Sequence, residues 1–227
     1  MTQGDECVEN RQLASKWLKT EVLLSDSRVA GYIPATRIYN TSNLHQMLNQ
    51  HEFVVIKPNV GGGGAGVIKV KKTDGQYQYT YMSRTRSFSS FDAMVSSLTS
   101  VKKKRTYLIQ RGIRLATIGG RPIDYRVKYV KHNGRWEFRA LVGRIAKPGL
   151  FVTNLCRGGT LITGRKGLSM SIARGKVSSK LSEMRHVTRI STTILEAKYP
   201  GIGSLGFDYG VDDNGRMWIF EVNTRPQ

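Results

Sequence analysis

Three residues near the end of the chain, Asp208, Glu221 and Asn223, have the side chains of a magnesium site. They lie in two runs rich in β-branched and aromatic residues, which flank an Asn-Gly pair at residues 214–215 and so predict a β-hairpin. Facing carboxylates repel each other unless a cation lies between them. Mg²⁺ in proteins is bound through one or two carboxylates together with substrate phosphates. The set therefore predicts one or two Mg²⁺ ions, with Mn²⁺ as an alternative.

The geometry of this set depends on the hairpin register. If residues 214–215 alone form the loop, Asp213 pairs with Arg216, and counting outward places Asp208 opposite Glu221. A four-residue loop would keep the side chains on one face but move Asp208 away from Glu221. The alternative interpretation is an edge hairpin with a solvated acidic face.

A dense run of glycines at residues 61–66, which includes Gly62, Gly63 and Gly64, follows a strand-type run that reaches Lys57. Glycines at this density let backbone N–H groups approach phosphate oxygens. Lys57 would reach the same phosphates, where a charge-assisted hydrogen bond contributes about 1.5–3 kcal/mol. The alternatives are a flexible surface loop and an ordinary surface lysine.

Better-known phosphate motifs do not fit this glycine run. Strand-type residues follow it, whereas a dinucleotide-binding fold needs a helix there. The Gly-Lys-Ser/Thr of a Walker loop is absent, and so are the His-Arg-Asp and Asp-Phe-Gly motifs of protein kinases.

The composition is that of a globular protein with an unusual charge. The 227 residues are 39% hydrophobic and 23% charged, and 36 Lys and Arg against 16 Asp and Glu leave a net charge of +20. This excess favours a polyanionic partner, although each basic run by itself is typical of a solvated face. We expect no membrane partner, because no run of apolar residues is long enough to span a bilayer. Two cysteines without a Cys-x-x-Cys motif favour a reducing, cytoplasmic setting.

The elements that must position these residues alternate between strands and helices. The sequence predicts helices over 8–24, 42–50, 90–100 and 178–198, and the last of these precedes the terminal hairpin. Predicted strands lie between them, and a second Asn-Gly turn joins long strands over 123–130 and 136–146. Glycines over 158–167 predict a loop or flexible flap. Several hairpins among interspersed helices indicate an α+β fold with antiparallel sheets.

Taken in order, the motifs resemble the ATP-grasp superfamily. The resemblance rests on a lysine helix at 15–19 followed by Tyr-Ile-Pro-Ala-Thr at 32–36, on Ile-Lys-Pro-Asn at 56–59 with the glycine loop, on a hinge at 107–113, and on Phe-Asp at 207–208 with Phe-Glu-Val-Asn at 220–223. Within the superfamily, four motifs are most similar to the spore-coat-associated YheC/YheD group. They are Lys-Trp at 16–17, Gln-Arg-Gly-Ile at 110–113, Arg-Pro-Ile-Asp-Tyr-Arg at 121–126, and Thr-Asn-Leu at 153–155.

The resemblance implies an ATP-grasp fold, in which two α+β lobes hold ATP between antiparallel sheets. It divides the chain into a leading segment 1–52, a phosphate-flap lobe 53–112 and a C-terminal lobe 113–227. The separate N-terminal domain that often precedes this fold is expected to be absent, and the chain stops just after the metal motif.

The resemblance also implies roles for individual residues. Lys16 and Lys57 would contact the nucleotide phosphates beside the glycine loop. Nucleotide contacts at the hinge would come from Ile109, Gln110, Arg111 and Ile113. Near the reacting phosphate would lie Arg126, Arg144 and Asn154. Mg²⁺ would be held by Asp208, Glu221 and Asn223.

The implied activity is ATP- and Mg²⁺-dependent ligation of a carboxylate to an amine through an acyl-phosphate. The positive charge leads us to expect an acidic peptide or protein as the acceptor. The main alternative is a nucleotide-binding structural protein, associated with a spore coat and without turnover. A nucleic-acid-binding module is less favoured, because no residue pattern resembles a known nucleic-acid motif. The sequence does not give the oligomeric state.

Overall fold

The computed structural model describes residues 11–226, apart from the side chain of Arg174. The predicted start of the first helix at residue 8 lies outside this range, as does Cys7. The described chain forms the following α-helices: α1 (Lys16–Leu24), α2 (Ser27–Ala30), α3 (Thr41–Gln50), α4 (Phe91–Val101), α5 (Gly164–Ser171) and α6 (Val177–Lys198). Short 3₁₀ helices cover Leu155–Arg157 and Arg174–Lys176. None of the helices in residues 11–226 has the length and apolar character to cross a membrane.

The strands form two antiparallel sheets, one in each lobe of the chain. The lobe that contains the first sheet is called the smaller lobe, and the lobe that contains the second sheet is called the larger lobe. The smaller-lobe sheet contains β1 (Thr36–Ile38), β2 (Phe53–Pro58), β3 (Ile68–Thr73), β4 (Gln76–Tyr81), β5 (Arg84–Phe88) and β6 (Tyr107–Arg111), in the order β1-β6-β2-β3-β4-β5. The larger-lobe sheet contains β7 (Thr117–Ile118), β8 (Arg121–His132), β9 (Arg135–Ile145), β10 (Thr160–Thr163), β11 (Ser204–Val211) and β12 (Met217–Asn223), in the order β10-β9-β8-β11-β12, with β7 beside β8. The predicted α+β class is confirmed.

Each sheet has its own apolar core. Helices α3 and α4 cover the smaller sheet through buried side chains such as Leu44 and Met94. Helices α1, α2, α5 and α6 contribute to the core of the larger sheet, where Leu23 and Val29 are fully buried. The predicted leading segment therefore supplies side chains to both cores. The predicted domain boundaries at residues 52 and 112 stay predictions.

The glycine-rich stretch 158–167 is not a flexible flap. It contains β10 and the first turn of α5, with Gly164 and Gly167 inside the helix. A Cβ on Gly164 would lie 1.9 Å from Leu141 Cδ2, and one on Gly167 would lie 2.8 Å from Ile123 Cδ1. These glycines let the helix approach the sheet closely, so they serve packing rather than mobility.

Two helix starts differ from the predicted ones. Helix α1 begins at Lys16 with Ser15 as its N-cap, eight residues after the predicted start. Helix α3 is capped by Asn40, whose side chain accepts from the Asn43 N–H at 2.6 Å, instead of by Ser42. Asn40 was the better candidate, because asparagine is at least as good an N-cap as serine.

The terminal hairpin has a different loop from the predicted one. The Asp212 N–H donates to the Arg216 carbonyl at 2.9 Å, so residues 213–215 form a three-residue loop. Gly215 adopts the left-handed φ of +82° that such a loop requires. The predicted pairing of Asp213 with Arg216 is therefore wrong.

The predicted pairing of the carboxylates is nevertheless confirmed. Tyr209 faces Ile219 and Asp208 faces Glu221, so Phe220 is the extra residue of a β-bulge. The bulge shifts the register back by one residue and offsets the longer loop. Asp208 and Glu221 therefore face each other at the point where the ladder is interrupted.

Candidate functional site

A cleft of about 1010 Å³ lies between the two lobes. This volume is at the upper end of the range for small-molecule sites. Residues from both sheets, the glycine loop and α1 line it. The predicted site residues that line it are Lys16, Lys57, Gly62, Gly63, Gly64, Gln110, Arg111, Ile113, Arg126, Arg144, Asn154, Asp208, Glu221 and Asn223.

The register of three adjacent strands assembles the acidic end of the cleft. On β8, Asp124 faces Arg144 of β9, and Arg126 faces Asp208 of β11. Residues 124 and 126 are two apart and so share one face of the strand. The ladder therefore brings two carboxylates and two guanidinium groups together in alternation.

The contacts among these four side chains are short and shielded. Arg144 donates from Nε to Asp124 Oδ1 at 2.8 Å and from Nη2 to Asp124 Oδ2 at 2.6 Å, which is a bidentate pair. Its Nη2 also lies 2.9 Å from Asp208 Oδ1, and Arg126 Nε lies 2.8 Å from the same oxygen. Burial opposes the Arg144 charge, but Asp208 and Asp124 outweigh it and raise the pKa of Arg144. Both arginines are held in place by carboxylates.

Strand β12 contributes Glu221 and Asn223 to the acidic end of the cleft. Lys16 Nζ lies 3.3 Å from Glu221 Oε1 and also donates to the Gly61 carbonyl, so Lys16 joins the larger sheet to the glycine loop. With its amide nitrogen toward Glu221, Asn223 donates to Oε1 at 2.5 Å and accepts from Arg126 Nη1 at 3.1 Å.

Lys57 lies under the glycine loop between the two lobes. Its Nζ donates to Gln110 Oε1 at 2.9 Å and to the Phe220 carbonyl at 2.7 Å, and the residue is only 8% exposed. Burial lowers the pKa of Lys57 from 10.5 to about 8; Glu221 opposes this shift and Lys16 adds to it. Within residues 11–226 no carboxylate lies within ion-pair distance of Lys57, and an anion in the cleft would favour the charged form of this lysine.

The glycine loop reaches across the cleft to the larger lobe. Gly63 and Gly64 adopt φ values of +65° and +69°. The Gly63 carbonyl accepts from Arg157 Nε at 3.2 Å, and a Cβ on Gly64 would lie 2.5 Å from Asn154 Oδ1. Asn154 therefore lies directly against the loop, and the backbone there has no room for a side chain.

The hinge end of the cleft differs in part from the prediction. Ile113 and Arg111 line it together with Val55. The Ile109 side chain does not, because it is fully buried in the smaller-lobe core. Gln110 is occupied inside the protein, since its Nε2 donates to Thr36 Oγ1 at 2.9 Å while its Oε1 accepts from Lys57. Its side chain positions Lys57, a role that the sequence did not indicate.

Some residues that build the cleft had no predicted role. Asp124 orients Arg144. The sequence could have indicated this role, because Asp124 lies two residues before Arg126 and therefore on the same face of a predicted strand. Asn59 holds the start of α1 against the glycine loop, because its Oδ1 accepts from the Trp17 N–H at 2.8 Å. The contact between Phe220 and Lys57 uses a backbone carbonyl, which side-chain types do not reveal.

The residues present fit a magnesium–nucleotide complex. The all-oxygen donors Asp208, Glu221 and Asn223 suit Mg²⁺. Lys16 and Lys57 line the same cleft as the glycine loop, in which Gly64 has no room for a side chain. Because the carboxylates already contact arginine and lysine, the site also carries the positive charge that a polyphosphate needs.

Comparisons with known proteins agree with this geometry. The family model described as "YheC/D like ATP-grasp" matches residues 5–227. The endospore coat-associated protein YheD of Bacillus subtilis (strain 168) is 30% identical over 225 residues, which cover 96% of this chain. Those residues are 49% of YheD, so the chain spans about half the length of this relative.

Two solved structures share the fold at low sequence identity. N5-carboxyaminoimidazole synthetase from Staphylococcus aureus, complexed with ADP, has a TM-score of 0.59 and 11% identity over 95% of this chain and 46% of its own. D-alanyl-alanine synthetase A from Vibrio cholerae O1 biovar eltor has a TM-score of 0.55 and 10% identity over 94% and 55%. The predicted ATP-grasp fold and family are confirmed: the chain is a member of the YheC/D-like ATP-grasp family.

Proposed function

We propose that this chain is an ATP- and Mg²⁺-dependent ligase that joins a carboxylate to an amine through an acyl-phosphate. The observation that carries the proposal is Lys57, a nearly buried lysine that has no carboxylate within ion-pair distance in residues 11–226 and lines the same cleft as the glycine loop, Asp208 and Glu221. Structural neighbours named as synthetases, one of them complexed with ADP, support the same reaction class.

Each side chain has a distinct task in this proposal. Lys16 and Lys57 bind the phosphates from the side of the glycine loop, and loop N–H groups add donors. Arg126 and Arg144 neutralise charge at the reacting phosphate, since both guanidinium groups are oriented before substrate binds. When bound, Mg²⁺ would supply charge neutralisation between phosphate oxygens. Asn154 lies beside the loop, where it would position the reacting groups.

The ion pairs in the cleft indicate how the metal arrives. Asp208 is already in contact with Arg126 and Arg144, and Glu221 with Lys16. A free Mg²⁺ ion would have to displace these cations without bringing negative charge of its own. Lys16, Arg126 and Arg144 could instead contact the phosphates of a nucleotide, which would leave Asp208 and Glu221 to hold the metal. We therefore propose that the metal binds together with the nucleotide and only weakly alone.

ADP release tests the ligase activity directly. The protein is incubated with Mg-ATP and pairs of carboxylates and amines, and ADP is measured with a coupled assay. We expect ADP release that requires both partners and that falls at least about 100-fold in Arg144→Gln. A matched control is Arg139→Gln, which removes an exposed arginine from the same strand. Nucleotide binding without ADP release for any pair would contradict the ligase proposal.

The acceptor in this proposal is an acidic peptide or protein, because the chain carries a net charge of +20. Attraction between exposed charges weakens as salt is added. We expect the KM for an acidic acceptor to rise between about 0.05 and 0.3 M salt, while that for a neutral acceptor of equal length stays constant. A KM that salt leaves unchanged for both acceptors would contradict an acidic specificity.

A second candidate function is a nucleotide-binding structural protein of a spore coat, without turnover. It is favoured by the ion pairs of Asp208 with Arg126 and of Glu221 with Lys16, which already occupy both carboxylates, and by the name of the relative YheD. It shares the binding step with the ligase but predicts that bound ATP is recovered intact. A cytoplasmic location with spore association stays a prediction.

A further inference from the structure

A second cavity, of about 410 Å³, lies on the larger lobe away from the nucleotide cleft. Its walls are Leu141 of β9, the end of β10 with the first turn of α5, and the N-terminal half of α6. The residues that line it are Leu141, Thr163, Gly164, Arg165, Ser178, Leu181, Ser182, Arg185 and Arg189. We call it the arginine cavity. It shares no lining residue with the nucleotide cleft.

The polar side chains of α6 form one stripe along this cavity. Ser178, Ser182, Arg185 and Arg189 are spaced by four, three and four residues, which is the spacing of a single helix face. Arg165 faces them from α5. Three arginines and two serines, all of them exposed, therefore line one space between two helices.

These arginines lack the partners that the cleft arginines have. Within residues 11–226, no carboxylate lies within ion-pair distance of Arg165, Arg185 or Arg189. The nearby acid of α6, Glu183, is paired with Lys180 at 2.5 Å. Like charges four residues apart on a helix repel each other and destabilise the helix. An anion in the cavity would remove this repulsion.

The α6 arginines are also positioned before any ligand binds. The guanidinium carbons of Arg185 and Arg189 lie 5.8 and 5.1 Å from the centre of the same Phe138 ring. A cation at this distance from the face of an aromatic ring is attracted to it, which favours these positions of the two side chains.

We propose that the arginine cavity binds a phosphate-bearing ligand. A tetrahedral, doubly charged oxyanion accepts hydrogen bonds from several directions, which matches donors that reach it from α5 and α6. A planar carboxylate uses one fork and would leave the other arginines unpaired. The volume suits one small phosphate ester. This site is separate from the nucleotide cleft and does not depend on the ligase proposal.

Titration of the full chain with inorganic phosphate, at constant ionic strength, tests the site. The measurements are the dissociation constant by calorimetry and the backbone amide shifts by NMR. We expect saturable binding that shifts amides over residues 164–166 and 178–189. The double variant Arg185→Gln/Arg189→Gln should weaken binding at least tenfold, and acetate, which has a single planar carboxylate, should bind more weakly than phosphate.

A matched control is Arg84→Gln/Arg86→Gln, which removes the same charge from exposed positions on β5 of the other lobe. It should change phosphate affinity less than twofold. Equal weakening in both double variants would show that only net charge matters, and would overturn the site. Amide shifts confined to the glycine loop would assign the phosphate to the cleft and also overturn it, as would the absence of saturable binding.

Discussion

The cleft between the two lobes and the arginine cavity are both rich in cationic side chains, but these side chains have different contacts in the two places. In the cleft, Arg126, Arg144 and Lys16 contact buried or half-buried carboxylates. In the cavity, Arg185 and Arg189 are exposed and contact an aromatic ring instead. A buried charge needs a partner to offset its desolvation, whereas an exposed charge is solvated by water. Removing one member of a cleft ion pair should therefore destabilise the fold, whereas removing the cavity arginines should leave it intact.

The largest effect should follow from Asp208→Asn. The change leaves two guanidinium groups facing each other without the carboxylate that both contact. Breaking a buried ion pair from one side costs about 3–5 kcal/mol. We expect a loss of this size in the free energy of unfolding, measured with urea.

The control for this comparison is Glu137→Gln. Glu137 pairs with Arg139 at 2.9 Å, but both side chains are more than 40% exposed. A pair of this kind contributes about 0–1 kcal/mol. If Asp208→Asn were as mild as Glu137→Gln, the cleft ion pairs would not hold the larger lobe together.

Lys57→Gln should come next, and it should act on binding rather than on stability. The variant removes a charge that burial disfavours, so the unfolding free energy should hold or rise. The affinity for Mg-ATP should fall by about 10- to 100-fold, since a charge-assisted contact to phosphate contributes about 1.5–3 kcal/mol. Calorimetry of both proteins measures this, and an unchanged affinity would remove Lys57 from the phosphate site.

The lowered pKa of Lys57 also predicts a pH dependence. The pKa of Lys57 is about 8 in the folded protein without ligand and 10.5 in the unfolded chain. Between pH 8 and pH 10.5 the unfolded chain therefore binds more protons, so the contribution of Lys57 to the unfolding free energy rises with pH. Mg-ATP binding should show the reverse sign and weaken above pH 8, because the proton must be taken up again. Lys57→Arg keeps the charge and should abolish the decline. Lys19, whose pKa burial also lowers to about 8, is the competing source if the decline persists.

Gly64→Ala should have a smaller effect, confined to the loop. Its φ of +69° costs an L-residue about 1–2 kcal/mol, and the new Cβ would press on Asn154. We expect weaker Mg-ATP binding by up to about tenfold. Gly62→Ala is the matched control, because no atom lies within 4 Å of a Cβ at that position. Equal affinities in the two variants would contradict a loop shaped by Gly64.

The smallest effect on the fold should come from Arg185→Gln/Arg189→Gln. Neither residue has a carboxylate within ion-pair distance in residues 11–226, so the unfolding free energy should change by less than about 0.5 kcal/mol, as for ordinary surface substitutions. Urea unfolding in phosphate-free buffer measures this. A loss as large as that of Asp208→Asn would show that the two cation clusters are alike.

The sequence was most informative where chemistry and spacing coincide. Facing carboxylates at Asp208 and Glu221 were predicted correctly, although the loop was three residues instead of two. The bulge at Phe220 restored the register, and nothing local in the sequence marks it. At the other Asn-Gly turn, residues 133–134, His132 faces Arg135 as a two-residue loop requires. This hairpin also contains a bulge, because Tyr129 faces Phe138 whereas Lys128 faces Ala140.

Tertiary packing accounts for most of what the sequence did not predict. Glycines at 164 and 167 favour a flexible loop in the sequence, yet in the structure they allow α5 to approach β8 and β9. The side-chain contacts of Gln110 with Thr36 and Lys57 were not predicted, while its contact with the nucleotide stays a prediction. Such roles depend on which elements meet across the cleft, and a single sequence does not encode that locally.

The central claim, a Mg-ATP site between the two lobes, is tested most directly by the melting temperature with and without Mg-ATP. Ligand at a hundred times its Kd should add about 2.7 kcal/mol, or roughly 5–10 °C for a chain of this size. We expect this rise in the wild type and in Glu137→Gln, none with Mg²⁺ alone, and little in Glu221→Gln. An unchanged melting temperature of the wild type at millimolar Mg-ATP would contradict the claim.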